Sequence, residues 1–440
     1  MEYQGTSICV RSNTKTAKRI PLLLTFVTIF FSTDTLLFGT NSLSTARWFP
    51  YFLYVLIALI MAFKVISKRA LFAKDYKFYF LIIIAQFFTL IANDDNFVMT
   101  CFRVALITAA LMITLNYSFH DYVCAFEKVV FFLACYSLVV YLLCYIFPGL
   151  IRSFPIVTNM SGYESYVVGP CIVPAMTLGN EIIKNCGIFR EPGVYQIYLI
   201  IALCIHLFYF DKLDIKKAII LILTVLTSLS TAGLFCVTLC ILIYFASKSK
   251  GKSEKHFRIL LLLILLLCVA FVALAFPQTV GSGISLLFDK LDADSGAYGS
   301  PVARLSSFTS NIEVWKTAPL FGVGLNKTDA LFDYYARIQY MDYYSVNVTG
   351  THNTNTYLYQ LATYGIFFWV LFTVGLFNLS KRITANKNNL IVTILVFALF
   401  LFTYANENLY YSILPLVLMF YGLNRNNQPK KSRYIGKNII

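Results

Sequence analysis

Apolar runs separated by short polar turns occupy most of the chain. Windows at 21–38, 48–63, 76–92, 98–117 and 129–147 are followed by others at 194–210, 219–245, 257–276, 357–379, 390–404 and 409–423. Most approach the roughly 20 residues that a helix needs to cross a bilayer. The stretch from 216 to 245 holds about one and a half such lengths and has basic residues at both ends. A turn at Ser228-Leu-Ser-Thr-Ala-Gly233, where hydroxyl side chains and a glycine favour a break, divides it into two short helices. The alternative is one long tilted helix, which reduces the spans to eleven and puts the basic loops downstream on the wrong side. The divided reading predicts an all-α polytopic bundle of about twelve transmembrane helices, one integral membrane domain over 1–440. The window at 21–38 lacks a small-residue cleavage site and is read as an uncleaved first helix.

Charge then gives the bundle a sidedness. The net charge is +15, with 13% charged and 58% hydrophobic residues, whereas soluble domains carry about 25% charged residues. In so apolar a chain, basic residues report topology before they suggest nucleic acid, and no nucleic-acid partner is expected. They gather before the first window, between the second and third, before 257, after 379 and in the tail beyond 424. Alternate loops are therefore basic, and both ends fall on the inner side. The intervening loops, 39–47, 93–96, 148–190, 277–352 and 406–408, face outward. Most cysteines lie within spans, where they serve as small apolar residues; Cys171 and Cys186 share an outer loop, and whether they are bridged or free is left open.

Two outer loops, 148–190 and 277–352, far exceed the roughly 4 to 6 residues of an ordinary connection. They are expected to lie over the bundle as short helices and to carry its chemistry. Residues 331–344 have the mixed character of an interfacial helix, whose tyrosines either stack on sugar rings or serve as membrane-interface anchors. Arg190, in Gly187-Ile-Phe-Arg-Glu191-Pro-Gly-Val-Tyr195, presents a guanidinium fork suited to phosphate, with Glu191 as ion partner or orienting group. Arg304 is a second outer arginine; the competing reading for both is contact with lipid phosphates. Arg103 lies within the fourth span near its outer end, where a charge is a functional candidate by default. Of four histidines only His352 lies in an outer loop, and its titration range suits a general base. Glu407 occupies the last outer turn, placed to orient an arginine or a sugar. The Asp-Ala-Asp sequence at 292–294 lacks the glycine and closing glutamate of a calcium loop, so no metal site is expected.

Four short patterns, in this order and on one face, resemble the O-antigen polymerase and O-antigen ligase superfamily. They are Phe189-Arg-Glu-Pro-Gly-Val-Tyr195, the break Leu229-Ser-Thr-Ala-Gly233, Trp315 followed by Pro319-Leu-Phe-Gly-Val-Gly324, and His352-Asn353 followed by Leu361-Ala-Thr-Tyr-Gly365. The chain departs from that pattern at 231–233, where Thr-Ala-Gly stands in place of the Ser-Arg-Gly of many relatives.

The resemblance implies a metal-independent glycosyltransferase of the bacterial inner membrane, with no cofactor. Its substrate would be an oligosaccharide repeat unit on undecaprenyl diphosphate, joined at the periplasmic face, with membrane lipid as a partner and a chain-length regulator protein as a further one. On the resemblance Arg190, Arg304 and His352 would be catalytic; Glu191, Tyr195, Asn353, Glu407 and Arg103 are the candidate substrate-binding residues. A polymerase is the favoured reading. A ligase that moves finished polysaccharide to lipid A core would use the same site, and a polysaccharide flippase is the rival from another class. The absence of an internal repeat and the concentration of polar groups at the outer end weigh against a flippase.

Overall fold

The computed structural model describes residues 15–38, 49–67, 76–93, 95–158, 164–175, 178, 183–247, 299–340, 353–387 and 389–424. The expected span at 257–276, the acidic pair at 292–294, residues 341–344 and His352 lie outside the described residues, as do 1–14 and 425–440.

The described chain is mostly helical: α1 (Lys15–Phe30), α2 (Phe49–Ser67), α3 (Tyr76–Asn93), α4 (Phe97–Asn116), α5 (Phe119–Ile146), α6 (Pro148–Arg152), α7 (Pro192–Cys204), α8 (Ile215–Thr227), α9 (Thr231–Ser247), α10 (Gly299–Thr317), α11 (Leu325–Tyr340), α12 (Thr356–Ile383), α13 (Leu390–Ala405) and α14 (Ile413–Leu423). A π-helical turn, Ile205–Tyr209, extends α7. Among the described residues four helical stretches, Phe97–Asn116, Phe119–Ile146, Pro192–Tyr209 and Thr356–Ile383, are long and apolar enough to cross a membrane, and six shorter apolar helices accompany them. Large apolar side chains such as Leu59, Phe63, Ile91, Phe132, Val139 and Leu390 point out of the bundle. Water would make so many costly; lipid tails do not. The chain is an integral membrane protein.

Polar residues at the helix starts explain why these apolar segments begin where they do. Asn96, Ser118, Asp214, Asn355, Asn389 and Ser412 each accept a hydrogen bond from a backbone N–H in the first turn of α4, α5, α8, α12, α13 and α14. Each such cap contributes about 1 kcal/mol and fixes the register of its helix.

The division of 216–245 is present. α8 ends at Thr227, α9 starts at Thr231, and Leu229 between them takes a left-handed φ of 51°. Two other expectations change. The first apolar window does not run helically to 38: α1 stops at Phe30, and Ser32-Thr-Asp34-Thr35 folds into a turn whose Thr35 bridges Phe189. The described part of the loop 148–190 holds more strand than helix. Beside the five-residue α6 lies an antiparallel sheet in the order β1 (Ile156–Thr158), β2 (Glu164–Val168) and β3 (Cys171–Pro174), with Tyr166 paired to both Ile156 and Val173. β-branched residues around the Gly169-Pro170 turn favour that outcome over helix. Cys171 and Cys186 are both buried and free, and burial pushes each thiol up to about 12.

α12 is two helices in one. At Gly365 the backbone turns to φ 71°, ψ −173°, and the segment from Pro319 to Gly324 docks into the gap. Val323 N donates to Ala362 O at 3.0 Å, Gly324 N to Thr363 O at 3.1 Å, and Ile366 N to Pro319 O at 3.0 Å. The end of α3 grips the same loop: Thr89 Oγ1 donates to Phe321 O at 2.7 Å and Asn93 Nδ2 to Gly322 O at 3.1 Å. Asp95 receives the backbone N–H groups of Leu325 at 2.6 Å and Asn326 at 2.8 Å, capping α11 from a distant part of the chain. Two of the four recurring patterns are thus a single structural joint.

Candidate functional site

One end of the bundle gathers charges around the turn 406–412, which links α13 to α14. Arg190 approaches from the start of α7. Its backbone N–H donates to Asp34 O at 3.1 Å, and Nη2 donates to Asn408 O at 2.7 Å. The guanidinium therefore sits against the turn, while Glu191, mostly exposed, stands 4.0 Å from Nε at the limit of an ion pair. Such an exposed pair contributes little, so Glu191 leaves the guanidinium available for other anions.

Glu407 is buried in that turn, 6% exposed. Burial raises its carboxyl first and the neighbouring Glu191 charge adds to the effect; Arg190 and Arg304 oppose it, and the net result is a group pushed up to about 8. Both arginines are thus close enough to act on one carboxyl. Arg304 comes from α10, on the far side of the sequence from Arg190. Gly193, in the first turn of α7, makes room for Glu407: a Cβ there would strike its carboxylate. The turn is tied to α12 as well. Thr356 N donates to Glu407 O at 3.3 Å, its hydroxyl also donates to that carbonyl, and Leu409 N donates to Thr356 Oγ1 at 2.6 Å.

Asn353 is buried, and its amide is engaged by protein. It exchanges two hydrogen bonds with Asn311 of α10, at 2.9 and 3.0 Å, while Thr354 N donates to Ser307 Oγ at 2.9 Å. The helix that bears Arg304 is thereby clamped to the residues that follow His352.

Two other expected site residues face inward. Arg103 is 3% exposed and donates to Tyr410 O at 2.7 Å and to Gln360 Oε1 at 2.9 Å, with its guanidinium 4.5 Å from the centre of the Tyr410 ring. Those contacts brace the turn from below. Tyr195 is fully buried; its hydroxyl lies 2.9 Å from Ser137 Oγ and its ring stacks on Phe189. Of the tyrosines at 331–344, Tyr334 is exposed and packs edge-on against Tyr335.

Asp34 escaped the sequence reading. It is buried, takes a 2.5 Å hydrogen bond from Tyr198, and its carboxyl is raised by burial against the opposing charge of Arg190. Its signal was available: an acid in Ser-Thr-Asp-Thr that interrupts an otherwise apolar window.

The matched region now falls into place on this frame. Residues 218–373 match the O-antigen ligase family model. The match is consistent with the O-antigen polymerase and ligase superfamily that the four patterns resemble. It contains Arg304, His352 and Asn353 and the joint between 319–324 and 361–365, whereas Arg103, Arg190, Glu191, Tyr195 and Glu407 lie outside it. No curated protein and no solved structure matches the chain. The family points to a glycosyltransferase-like activity in O-antigen processing on lipid-linked oligosaccharide.

Proposed function

We propose that this protein is an O-antigen polymerase, a metal-independent glycosyltransferase that joins repeat units carried on undecaprenyl diphosphate at the periplasmic face of the inner membrane, with both termini cytoplasmic. One arrangement carries the reading: at one end of an apolar bundle Arg190 donates to the turn that buries Glu407, and the helix that bears Arg304 is paired through Asn311 to Asn353, just ahead of the α12 residue that grips the same turn. A sugar hydroxyl of one unit attacks the anomeric carbon of a chain on the lipid carrier, and lipid diphosphate leaves. Arg190 and Arg304 stabilise the charge that develops on the diphosphate, as fixed cations do in a water-poor site. His352 takes the proton of the attacking hydroxyl. Glu191 and Glu407 orient the arginines, Asn353 positions the histidine segment, and Arg103 and Tyr195 hold the walls. A regulator of chain length would act beside this chain.

A ligase is the second reading, favoured by the family description over residues 218–373; it uses the same leaving group and differs in acceptor. Deleting the gene separates the readings by the surface polysaccharide. Lipid A core capped with a single repeat unit is the polymerase outcome; polymer retained on its carrier lipid is the ligase outcome, and untransported single units indicate a flippase. Arg190→Ala, Arg304→Ala and His352→Ala should each abolish polymer while the protein stays in the membrane, and full-length polymer from any one removes that residue's role.

A further inference from the structure

At the other end of α7 lies a second polar centre that the reaction does not use. The π-helical turn Ile205–Tyr209 carries His206, fourteen residues beyond Pro192 at the helix start and so roughly 21 Å along the helix axis. π-turns are rare and cluster at functional positions. His206 Nε2 donates to Asp214 O at 2.9 Å, and Nδ1 faces Glu127 Oε1 at 3.1 Å. Lys217 Nζ donates to both oxygens of Glu127, at 2.9 and 3.2 Å. Beside these groups opens a cavity of about 180 Å³, lined by Cys124, Glu127, Lys128, His206, Phe210, Lys212, Asp214 and Lys217.

The charges around this cavity are unequal. Three lysines face two carboxylates, and both carboxylates are engaged by the chain itself: Glu127 by Lys217 and His206, and Asp214 by the N–H groups of Lys216 and Lys217 at 3.1 and 3.4 Å. Lys128 and Lys212 make no ion pair among the described residues, and both are exposed at the rim. A cavity of this size holds a phosphate ester with a few waters, each of which takes about 30 Å³ in the liquid. Basic pockets between helices at the inner surface suit phosphate-bearing headgroups.

We propose that this cavity binds a phosphate-bearing anion, with Lys128 and Lys212 as its free cations and Lys217, held by Glu127, as the fixed one. The site is separate from the outer one and does not rest on the proposed function. Cys124 in its wall is partly exposed and gives a local probe. Full-length protein in neutral detergent is labelled with N-ethylmaleimide, alone, with inorganic phosphate, or with short-chain phosphatidylglycerol, and Cys124 is followed by mass spectrometry. A bound anion shields the thiol, so labelling should slow about tenfold at ten times the dissociation constant, where only the free fraction reacts. Protection by phosphate and lipid alike assigns a site for the phosphate group; protection by the lipid alone assigns a membrane headgroup. Protection by neither overturns the proposal. In the double variant Lys128→Gln/Lys212→Gln, whose changes are at the surface, protection should vanish, and unchanged protection also overturns it. Native mass spectrometry from phosphatidylglycerol nanodiscs gives a second readout: the double variant should retain less lipid than the wild type, and equal retention counts against the site.

Discussion

The guanidinium of Arg103 lies over the ring of Tyr410 and donates to that residue's own carbonyl at 2.7 Å. One side chain in the fourth helix thus fixes both the backbone and the ring of the turn that presents Glu407. A carbonyl, an amide oxygen and aromatic faces enclose the guanidinium.

Arg103→Met should therefore damage the turn rather than the chemistry. It leaves Tyr410 O and Gln360 Oε1 without a donor, and each hydrogen bond to a charged group contributes about 1.5–3 kcal/mol. A lower melting temperature in detergent, together with reduced polymer per folded molecule, is the expected pair of results. Unchanged thermal stability would separate Arg103 from the turn.

Gly193→Ala tests the seat of Glu407. The added methyl group meets the end of a side chain rather than backbone, so the fold should survive while the carboxylate moves away from the arginines. Polymer formation should fall at least about tenfold, the loss expected when a group that completes the site moves by about 1 Å. Melting should be nearly unchanged; normal polymer length and yield would show that the position of Glu407 is immaterial.

The pH dependence of stability follows from the same carboxyl. Its folded-state value, about 8, lies above the ordinary 4.5, so the folded protein holds a proton that the unfolded chain releases. This contribution is fully present below pH 4.5 and is lost as pH rises through 8. Glu407→Gln, which keeps the neutral shape, should flatten that decline. Melting curves from pH 5 to 9 decide it: a variant with the wild-type slope would mean that the group titrates normally. An anionic diphosphate near Arg190 and Arg304 adds negative charge and favours protonated Glu407, so its binding should weaken as pH passes 8 in the wild type and not in Glu407→Gln.

The sequence was most informative where one physical rule dominated. Lipid as solvent made the spans visible, and basic residues at both ends of 216–245 required the break at Leu229. Arg190, Arg304 and Glu407 stood out because charge is scarce in such a chain, and the structure brings those three together. Partners distant in sequence were hidden. Nothing local shows that Asp95 caps α11, that Asn353 pairs with Asn311, or that Pro319–Gly324 docks at Gly365. The sheet at 156–174 shows in its β-branched residues, but the strong helical signal on either side masks it.

The joint at Gly365 gives a sharper test of structure than of catalysis. Its φ of 71° is costly for any residue with a Cβ, and that Cβ would also meet the carbonyl of Leu320. Gly365→Ala should lower stability by about 2–4 kcal/mol through backbone strain and lost docking of 319–324. Reduced yield of folded protein in the membrane is the measurement, and wild-type yield and melting would show that the joint bends freely.

The reciprocal pair between Asn311 and Asn353 separates positioning from contact with substrate. If Asn353 serves to hold the His352 segment against the Arg304 helix, Asn311→Ala should reduce polymer formation as much as Asn353→Ala, although Asn311 sits on a different element. The double variant should be little worse than either single one, because the first change already breaks the clamp; contacting pairs couple by about 0.5–3 kcal/mol. If instead Asn353 touches the sugar directly, its loss should exceed that of Asn311→Ala, and the two effects should add. Polymer yield per membrane-inserted protein, measured for the four members of the cycle, distinguishes the two cases, and additive losses would release Asn353 from the positioning role.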